Sequence, residues 1–286
     1  MGKFQIDLIS KLAIKNLLEK RGIKPSKKLG QNFLVSKSVL ERILRAANLK
    51  KTDIILEIGP GIGTLTRELA KRVKKVIAVE KDKKMIEILK ETLKEFENIE
   101  IVEGDILKLE NGSMVKWFNG LSYKIVANLP YYITSPLIRK FLESKNPPSQ
   151  MILMVQKEVA QRICAPPKKM NVLALSVQFY SKPEIISFVS KKSFWPCPKV
   201  DSAILKLKVK RQKAKVNKDL FFKIVKAGFS HPRKQLVNNL SFELKLEKEK
   251  IKSWLLKNKI NPTQRAQTLQ LNDWLKLAKT FKNLLK

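Results

Sequence analysis

The amino-acid sequence predicts an α/β fold, in which a mostly parallel sheet carries helices on both faces, followed by a small all-α domain. Between residues 54 and 127, short apolar runs alternate with segments of helical periodicity, a rhythm typical of β–α–β units. After Lys210 the strand patterns stop and only helical periodicity remains. The domain boundary is therefore predicted near residue 211, in the basic stretch 210–215.

Each predicted element rests on a local pattern. The first helix carries apolar residues at helical spacing and ends before the chain break at Gly22 and Pro25. The strands are apolar runs between turn signals, such as residues 54–58 after Thr52 and Asp53. Helices are predicted over 4–20, 38–47, 64–72, 82–95, 217–229, 232–242, 247–258 and 271–284. Strands are predicted over 54–58, 76–79, 99–102, 123–127, 151–156, 185–190 and 202–209.

The charge balance indicates a polyanionic partner. The chain holds 59 Lys and Arg against 25 Asp and Glu, a formal net charge of +34, which exceeds what solubility requires and favours nucleic acid. Residues 201–286 carry 22 of the basic and 6 of the acidic side chains, so the charge density roughly doubles there. We therefore divide the chain into an N-terminal helix and basic arm (1–24), a sheet domain (25–210) and a helical basic domain that binds nucleic acid (211–286).

Residue types exclude two kinds of chemistry. Cys164 and Cys197 lie far apart without a Cys-x-x-Cys pair, and His231 is the only histidine, so neither a zinc cluster nor a histidine-based triad is expected. No apolar run reaches the length of a membrane helix, and the N-terminus lacks the apolar core of a secretory signal. We expect a cytoplasmic protein that binds no metal and no membrane.

A glycine-rich loop follows the first predicted strand of the sheet. Glu57, Gly59, Gly61 and Gly63 lie between a strand and a helix, where an α/β sheet binds nucleotide-like ligands. Glycines let the backbone approach such a ligand closely. A dinucleotide fingerprint requires Gly-x-Gly-x-x-Gly, but Thr64 occupies the position of the last glycine. The loop, with Gly59 and Gly61 as predicted contacts, therefore favours a methionine-type cofactor over NAD.

Acidic residues end the next two strands. Glu80 ends the second strand, where a carboxylate can accept two hydrogen bonds from ribose hydroxyls. Asp105 follows the third strand and can accept from the adenine amino group of the cofactor. A single carboxylate at a strand end is common, but three consecutive strand ends with suitable residues predict a cofactor site.

The segment Asn128-Leu129-Pro130-Tyr131-Tyr132 follows the fourth strand and suits chemistry on an exocyclic adenine amine. This amine is a poor nucleophile because its lone pair is delocalised into the ring, so a catalyst needs acceptors that draw its N–H bonds out of plane. The Asn128 side-chain oxygen and the Leu129 carbonyl are the predicted acceptors. Pro130 fixes the turn, and Tyr131 can stack on the base.

With these motifs, the chain from about residue 20 onward resembles the KsgA family of ribosomal RNA adenine dimethyltransferases. The resemblance implies a class I, Rossmann-like sheet that binds S-adenosylmethionine. Residues 30–34, Gly-Gln-Asn-Phe-Leu, are similar to the N-terminal cofactor-contacting segment of the family. Residues 194–202 are similar to a late family motif, which implies that Phe194 packs against the target base opposite Tyr131. The implied cofactor-binding residues are Asn32, Leu34, Gly59, Glu80, Asp105 and Asn128.

The resemblance also implies a substrate. The family dimethylates N6 of adjacent adenosines in 16S rRNA during biogenesis of the small ribosomal subunit, and we expect a monomer that acts on the subunit precursor. Residues 233–240 are similar to the basic helical segment of these enzymes, so Arg233 and Lys234 are the expected RNA-binding residues.

Three alternatives stay open. An Erm-type methyltransferase of 23S rRNA shares the catalytic motifs, although Gly30 and the segment 233–240 favour the small-subunit enzyme. A non-catalytic ribosome-assembly or transcription factor of the same fold would show damaged catalytic residues, whereas each motif here is intact. DNA adenine methylation is disfavoured by the N-terminal and late motifs, which are of the rRNA type.

Overall fold

A computed structural model describes residues 6–109, 116–118, 120–210 and 216–284. Over these residues the helices are α1 (Lys11–Glu19), α2 (Lys37–Ala47), α3 (Thr64–Ala70), α4 (Lys83–Thr92), α5 (Thr134–Leu142), α6 (Lys157–Ile163), α7 (Val172–Tyr180), α8 (Lys218–Gly228), α9 (Leu236–Leu244), α10 (Lys248–Lys257) and α11 (Leu271–Leu284). The strands are β1 (Phe33–Leu34), β2 (Ile54–Ile58), β3 (Lys75–Glu80), β4 (Ile99–Glu103), β5 (Lys124–Asn128), β6 (Gln150–Gln156), β7 (Ser181–Val189), β8 (Phe194–Trp195) and β9 (Ser202–Val209).

Within the described residues, one sheet of seven strands has the order β4-β3-β2-β5-β6-β9-β7. Strand β2 pairs in parallel with β3 and with β5, so that Leu56 lies between Ile77 and Ile125. The β3–β4 and β5–β6 pairs are also parallel, whereas β9 runs antiparallel to β6. The chain builds β3 and β4 on one side of β2, then β5 and β6 on the other. The strand order therefore reverses between β2 and β5, a position where α/β sheets bind ligands.

The mostly parallel α/β sheet predicted from the sequence is confirmed, and each predicted strand is present with ends within four residues. The first helix was predicted from residue 4 but begins at Lys11, because the Ser10 hydroxyl accepts from the Ala13 N–H and caps it there. Helices α5, α6 and α7 were missed. In α7 the sequence VLALSVQFY is apolar nearly all round, so it lacks the amphipathic period that reveals a surface helix.

The N-terminal helix packs against the elements that follow the glycine loop. Its buried residues Ile14 and Leu18 form one apolar cluster with Ile62 and with Met85 of α4. The buried guanidinium of Arg67 donates to the carbonyl oxygens of residues 6 and 92, at 2.8 and 3.2 Å. Residues 6–23 therefore pack against the glycine loop and the following helix, α3, and hold them in place.

Two compact units divide the chain: Met1–Ala160 with Lys182–Val209, and Gln161–Ser181 with Lys210–Lys286. The sequence placed residues 161–181 with the sheet, but they pack in the second unit. Helix α7 is the reason, because its Leu175 and Phe179 share an apolar cluster with residues of α8 and α11. The N-terminal helix, predicted as a separate segment, lies within the first unit.

Gly228, the last residue of α8, lies against an indole in the core of the second unit. A Cβ atom at this position would lie 2.3 Å from Cη2 and 2.9 Å from Cζ3 of the fully buried Trp274. Both distances are far below van der Waals contact, so only a residue without a side chain fits here.

We expect Gly228→Ala to destabilise the second unit by about 1–3 kcal/mol, the range typical of overpacked cores. Hydrogen exchange followed by mass spectrometry should show faster exchange of the α8 and α11 amides. Lys223→Ala, at an exposed position of the same helix, is the matched control and should leave exchange unchanged. Equal protection in Gly228→Ala and wild type would contradict the packing constraint.

Candidate functional site

A pocket lies at the carboxyl ends of β2, β3, β4 and β5, where the strand order reverses. Its lining includes all the predicted cofactor and catalytic residues: Asn32, Leu34, Gly59, Gly61, Glu80, Asp105, Asn128, Leu129, Pro130, Tyr131 and Phe194. The structure thus brings together residues that lie up to 162 positions apart in the sequence.

The two predicted RNA-binding residues lie in the second unit and outside this pocket. Arg233 and Lys234 are exposed, in a turn closed by the Lys234 N–H bond to the His231 carbonyl. The helix predicted from residue 232 begins only at Leu236. The two side chains are therefore presented by a turn and not by a helix face.

Glycines allow two loops to close around Pro130. Gly30 and Gly59 have φ angles of +63° and +66°, in the left-handed region that favours glycine. A Cβ atom at Gly30 would lie 3.4 Å from the Pro130 Cβ, and one at Gly59 would lie 3.5 Å from the Pro130 Cδ. The N-terminal segment, the glycine loop and the turn after β5 therefore meet at this proline.

The Glu80 carboxylate holds the glycine loop in place. Its Oε2 accepts from the Gly61 N–H at 3.1 Å, and its Oε1 accepts from the N–H groups of Lys81 and Asp82 at 2.8 and 2.9 Å. Burial raises the pKa of Glu80, and these three donors oppose the rise. A carboxylate offers about four acceptor sites, so one on Oε2 is still available to a ligand hydroxyl.

Two lysine side chains fix the loop that contains Asp105. Its Oδ2 accepts from the Lys81 ammonium at 2.8 Å, and this ion pair lowers the pKa of Asp105. The Lys140 ammonium of α5 donates to the carbonyls of Leu107 and Leu109, at 3.1 and 2.5 Å. The carboxylate is thus ionised and positioned at the pocket, although its pairing with Lys81 occupies one oxygen.

Glu57 is a third acidic residue of the pocket, in a different environment from Glu80. The residue is 1% exposed, and the described part of the chain offers no hydrogen-bond partner to its Oε2. Burial raises the pKa of Glu57 to about 8, and the nearby Glu80 carboxylate adds to the rise. The Glu57 carboxyl is therefore mainly protonated at neutral pH.

Asn128 ends β5 with its side chain held from the N-terminal segment. Its Nδ2 donates to the Asn32 carbonyl at 3.2 Å, and the Asn32 Nδ2 donates to the Gly30 carbonyl at 3.1 Å. Since the amide nitrogen of Asn128 is engaged, its oxygen is left to accept from a ligand. The next N–H, that of Leu129, bonds to the Met154 carbonyl of β6 at 3.3 Å and fixes the turn to the sheet.

Two aromatic side chains line the same pocket. The Tyr131 hydroxyl shares a hydrogen bond of 2.7 Å with the buried Ser202 hydroxyl. Phe194 is only 4% exposed, because in the two-stranded β1–β8 sheet it lies opposite Leu34 and joins the core. The short sheet thus places a predicted cofactor contact and a predicted base contact side by side.

Further pocket-lining residues were not predicted as contacts from the sequence. Gln31 donates from Nε2 to the Asp82 carboxylate at 2.6 Å and accepts from the Ser26 N–H at 2.7 Å. This links the N-terminal segment to the start of α4. Gln31 lies within the segment 30–34, which provided a signal, whereas no local pattern marks Asp82 or the pairing of Lys81 with Asp105.

Two findings concern other kinds of site. Among the described residues, no group of three or more His, Cys, Asp or Glu side chains is placed to hold a metal ion. No described helix combines the length and apolar character that a membrane crossing requires.

Several known proteins are similar to this chain over most of its length. The family model described as "Ribosomal RNA adenine dimethylase" matches residues 22–283. Curated relatives named ribosomal RNA small subunit methyltransferase A include that of Dehalococcoides mccartyi, 45% identical over 92% of this chain and 90% of the relative. The relative of Clostridioides difficile is 43% identical over 93% of this chain and 94% of its own length.

Solved structures share the fold. A dimethyladenosine transferase from Plasmodium falciparum has a TM-score of 0.75 and 31% identity, and the match covers 88% of this chain and 98% of that chain. The 23S rRNA methyltransferase ErmE has a TM-score of 0.72 and 26% identity, covering 89% and 100%.

The buried Glu57 carboxyl should make stability depend on pH. Its pKa rises from the ordinary value of 4.5 to about 8 on folding, so the folded state retains the proton longer than the unfolded chain does. Its contribution to stability is full below pH 4.5 and is lost as the pH rises to about 8. We expect Glu57→Gln to abolish this pH-dependent loss of stability, which is on the order of a few kcal/mol.

Thermal unfolding at pH 5 and pH 8, without cofactor, measures the effect. The midpoint should fall less between these pH values in Glu57→Gln than in wild type. Glu100→Gln, which removes a half-exposed carboxylate on β4 that pairs with Lys75 of β3, serves as the control. If Glu57→Gln and wild type lose stability in parallel, the carboxyl titrates in its ordinary range.

Proposed function

Since the chain belongs to the ribosomal RNA adenine dimethylase family, we propose that it dimethylates N6 of adjacent adenosines in 16S rRNA during biogenesis of the small ribosomal subunit. It is an rRNA methyltransferase that uses S-adenosylmethionine. The observation that carries the choice of substrate is the shared name of relatives that match more than nine-tenths of the chain, each a small-subunit enzyme. The Erm-type alternative has weaker support, since ErmE is only 26% identical.

The residues of the pocket fit S-adenosylmethionine. The Glu80 carboxylate retains an acceptor site for a ribose hydroxyl, and Asp105 offers a carboxylate to an adenine amino group. Gly59 and Gly61 present backbone without side chains, and Asn32 and Leu34 line the pocket from the N-terminal segment. When bound, the cofactor supplies an electrophilic methyl group on a sulfonium.

The residues around Asn128 would hold the target amine. The Asn128 side-chain oxygen and the Leu129 carbonyl accept from N6 and draw its N–H bonds out of plane. The N6 lone pair is then less delocalised into the ring and more nucleophilic. Pro130 sets this turn, and Tyr131 stacks on the base, with Phe194 as the second aromatic neighbour. Orientation of this kind can contribute about 7–11 kcal/mol, so no strong base is needed. The methylated amine then loses its proton to solvent or a nearby acceptor.

The rest of the chain supplies the electrostatics of RNA binding. Arg233 and Lys234 are exposed in the second unit, and we assign them to phosphate contacts. The net charge of +34 supports a polyanionic partner. We propose that the protein acts as a monomer on the small-subunit precursor in the cytoplasm.

Methylation of ribosomal particles tests the function directly. The protein is incubated with labelled S-adenosylmethionine and with unmodified small-subunit or large-subunit particles, and the modified base is then mapped. We expect dimethyladenosine at adjacent positions of 16S rRNA only. Label confined to 23S rRNA would favour the Erm-type alternative, and no label would favour a non-catalytic assembly factor.

We expect Glu80→Gln to weaken S-adenosylmethionine binding by about 1–3 kcal/mol, because ribose hydroxyls lose a charge-assisted acceptor and the Gly61 N–H loses its partner. Affinity for rRNA should hardly change. Calorimetry measures the first and filter binding the second. Glu100→Gln makes the same charge change on β4, away from the pocket, and should bind the cofactor normally. Normal cofactor affinity in folded Glu80→Gln would refute the ribose assignment.

We expect Asn128→Ala to lower single-turnover methyl transfer by about 10²-fold or more at saturating cofactor, with RNA affinity largely retained. The reason is that the proposed acceptor acts mainly in the transition state. Asn98→Ala is the control, because the Asn98 side chain likewise donates to backbone carbonyls, those of Ala70 and Val73, but directly precedes β4, at its amino end. A wild-type rate in Asn128→Ala would mean that the amide does not activate the amine.

A further inference from the structure

An exposed aromatic side chain lies with two cations in the first unit, outside the residues assigned above. Phe188, near the end of β7, is 49% exposed, whereas most phenylalanines are buried. The Lys157 ammonium lies 5.1 Å from the centre of the Phe188 ring, within range of a cation–π interaction. The Arg42 guanidinium of α2 donates to the Phe188 carbonyl at 3.3 Å. We call Phe188, Lys157 and Arg42 the aromatic–cation patch.

A short series of contacts joins this patch to the pocket. The Lys157 N–H donates to the Asp201 carbonyl at 3.0 Å, and the next residue, Ser202, shares its hydroxyl hydrogen bond with Tyr131. The Asp201 carboxylate also accepts from the Lys191 N–H at 3.0 Å, in the turn just before β8. The patch therefore lies at the same edge of the sheet as the residues proposed to hold the target base.

The chemistry of the patch suits an unpaired nucleotide. An exposed ring stacks on a base whatever its identity, and neighbouring cations neutralise the phosphates on either side of it. The Lys157 ammonium lies over the ring, and the 49% exposure of Phe188 leaves the ring accessible to a flat, polarisable group. The exposed side chains of Lys191 and Lys192 extend the positive charge toward the pocket.

We propose that the aromatic–cation patch stacks one unpaired nucleotide of the substrate RNA next to the target adenosine, with Phe188 as the positioning residue. This inference rests on the proposed function. Strand β7 is the last strand of the sheet order, and the Arg42 bond ties its backbone at Phe188 to α2. The ring is therefore presented from a fixed strand, which can set the register of the RNA relative to Asn128.

Variants of Phe188 test the proposal on the full-length protein with unmodified small-subunit particles. We expect Phe188→Ala to raise both the dissociation constant and the KM for particles by about tenfold, the lower range for loss of one stacked base. Phe188→Leu keeps an apolar side chain without an aromatic face and should lose as much, whereas Phe188→Trp should restore binding. Affinity for S-adenosylmethionine should be the same in all of them.

Leu121→Ala is the matched control, since Leu121 is 53% exposed and precedes β5, at the amino ends of the parallel strands. It should bind particles as wild type does. Wild-type affinity in folded Phe188→Ala, or full binding by Phe188→Leu, would overturn the stacking role. Particle binding is measured by sedimentation, separately from methylation. If wild type binds but does not methylate, the proposed function fails, while the binding comparison still decides the role of the patch.

Discussion

Strand β2 forms parallel ladders with β3 on one side and β5 on the other, and the remaining features of the site depend on this arrangement. Parallel strands end at one edge of the sheet, so the glycine loop after β2, Glu80 of β3, Asp105 after β4 and Asn128 of β5 reach the same pocket. The order reverses between β2 and β5, which leaves a crevice there. Elements from outside the sheet then complete the pocket, because the left-handed backbone of Gly30 and Gly59 lets both loops pack against Pro130.

Two acidic side chains of the pocket, Glu80 and Glu57, lie in different environments. Glu80 accepts from three backbone N–H groups and can carry its charge while buried, whereas Glu57 has an Oε2 without a partner among the described residues and a raised pKa. One carboxylate is therefore available as a charged acceptor and the other is mainly neutral at pH 7. Two ionised carboxylates in one buried site would repel each other, so protonation of Glu57 lowers the energy of the free pocket.

The chemistry assigned to this protein depends on orientation more than on proton transfer. The only histidine, His231, lies in the second unit, and the predicted catalytic groups are an amide, backbone carbonyls and aromatic rings. Such groups act by holding the amine and the base in place, which requires rigid support. That support is visible in the Asn128 bond to Asn32 and in the Tyr131 bond to Ser202. Each bond joins the carboxyl end of β5 or the turn after it to a segment distant in sequence, so the geometry depends on tertiary packing within the first unit.

The sequence alone determined the seven strands of the large sheet, most of the helices and the residues at the strand ends. Apolar runs and turn residues are local, and they located β2, β9 and α11 with the ends that the structure has. The glycine loop, Glu80, Asp105 and Asn128 were found for the same reason, since each is defined by its distance from a strand. The resemblance of residues 30–34 and 194–202 to family motifs predicted further contacts without revealing how these segments meet.

Only the tertiary structure decided the contacts between distant segments. Strands β1 and β8 contain two residues each and pair across 160 positions, so no local pattern could reveal them. The same holds for the burial of Glu57, the pairing of Lys81 with Asp105 and the placement of α7 in the second unit. Periodicity records which face of an element is buried, but not which partner buries it. Hydrogen bonds, pKa values and domain membership depend on that partner, and the partner is set by the packing of the whole chain.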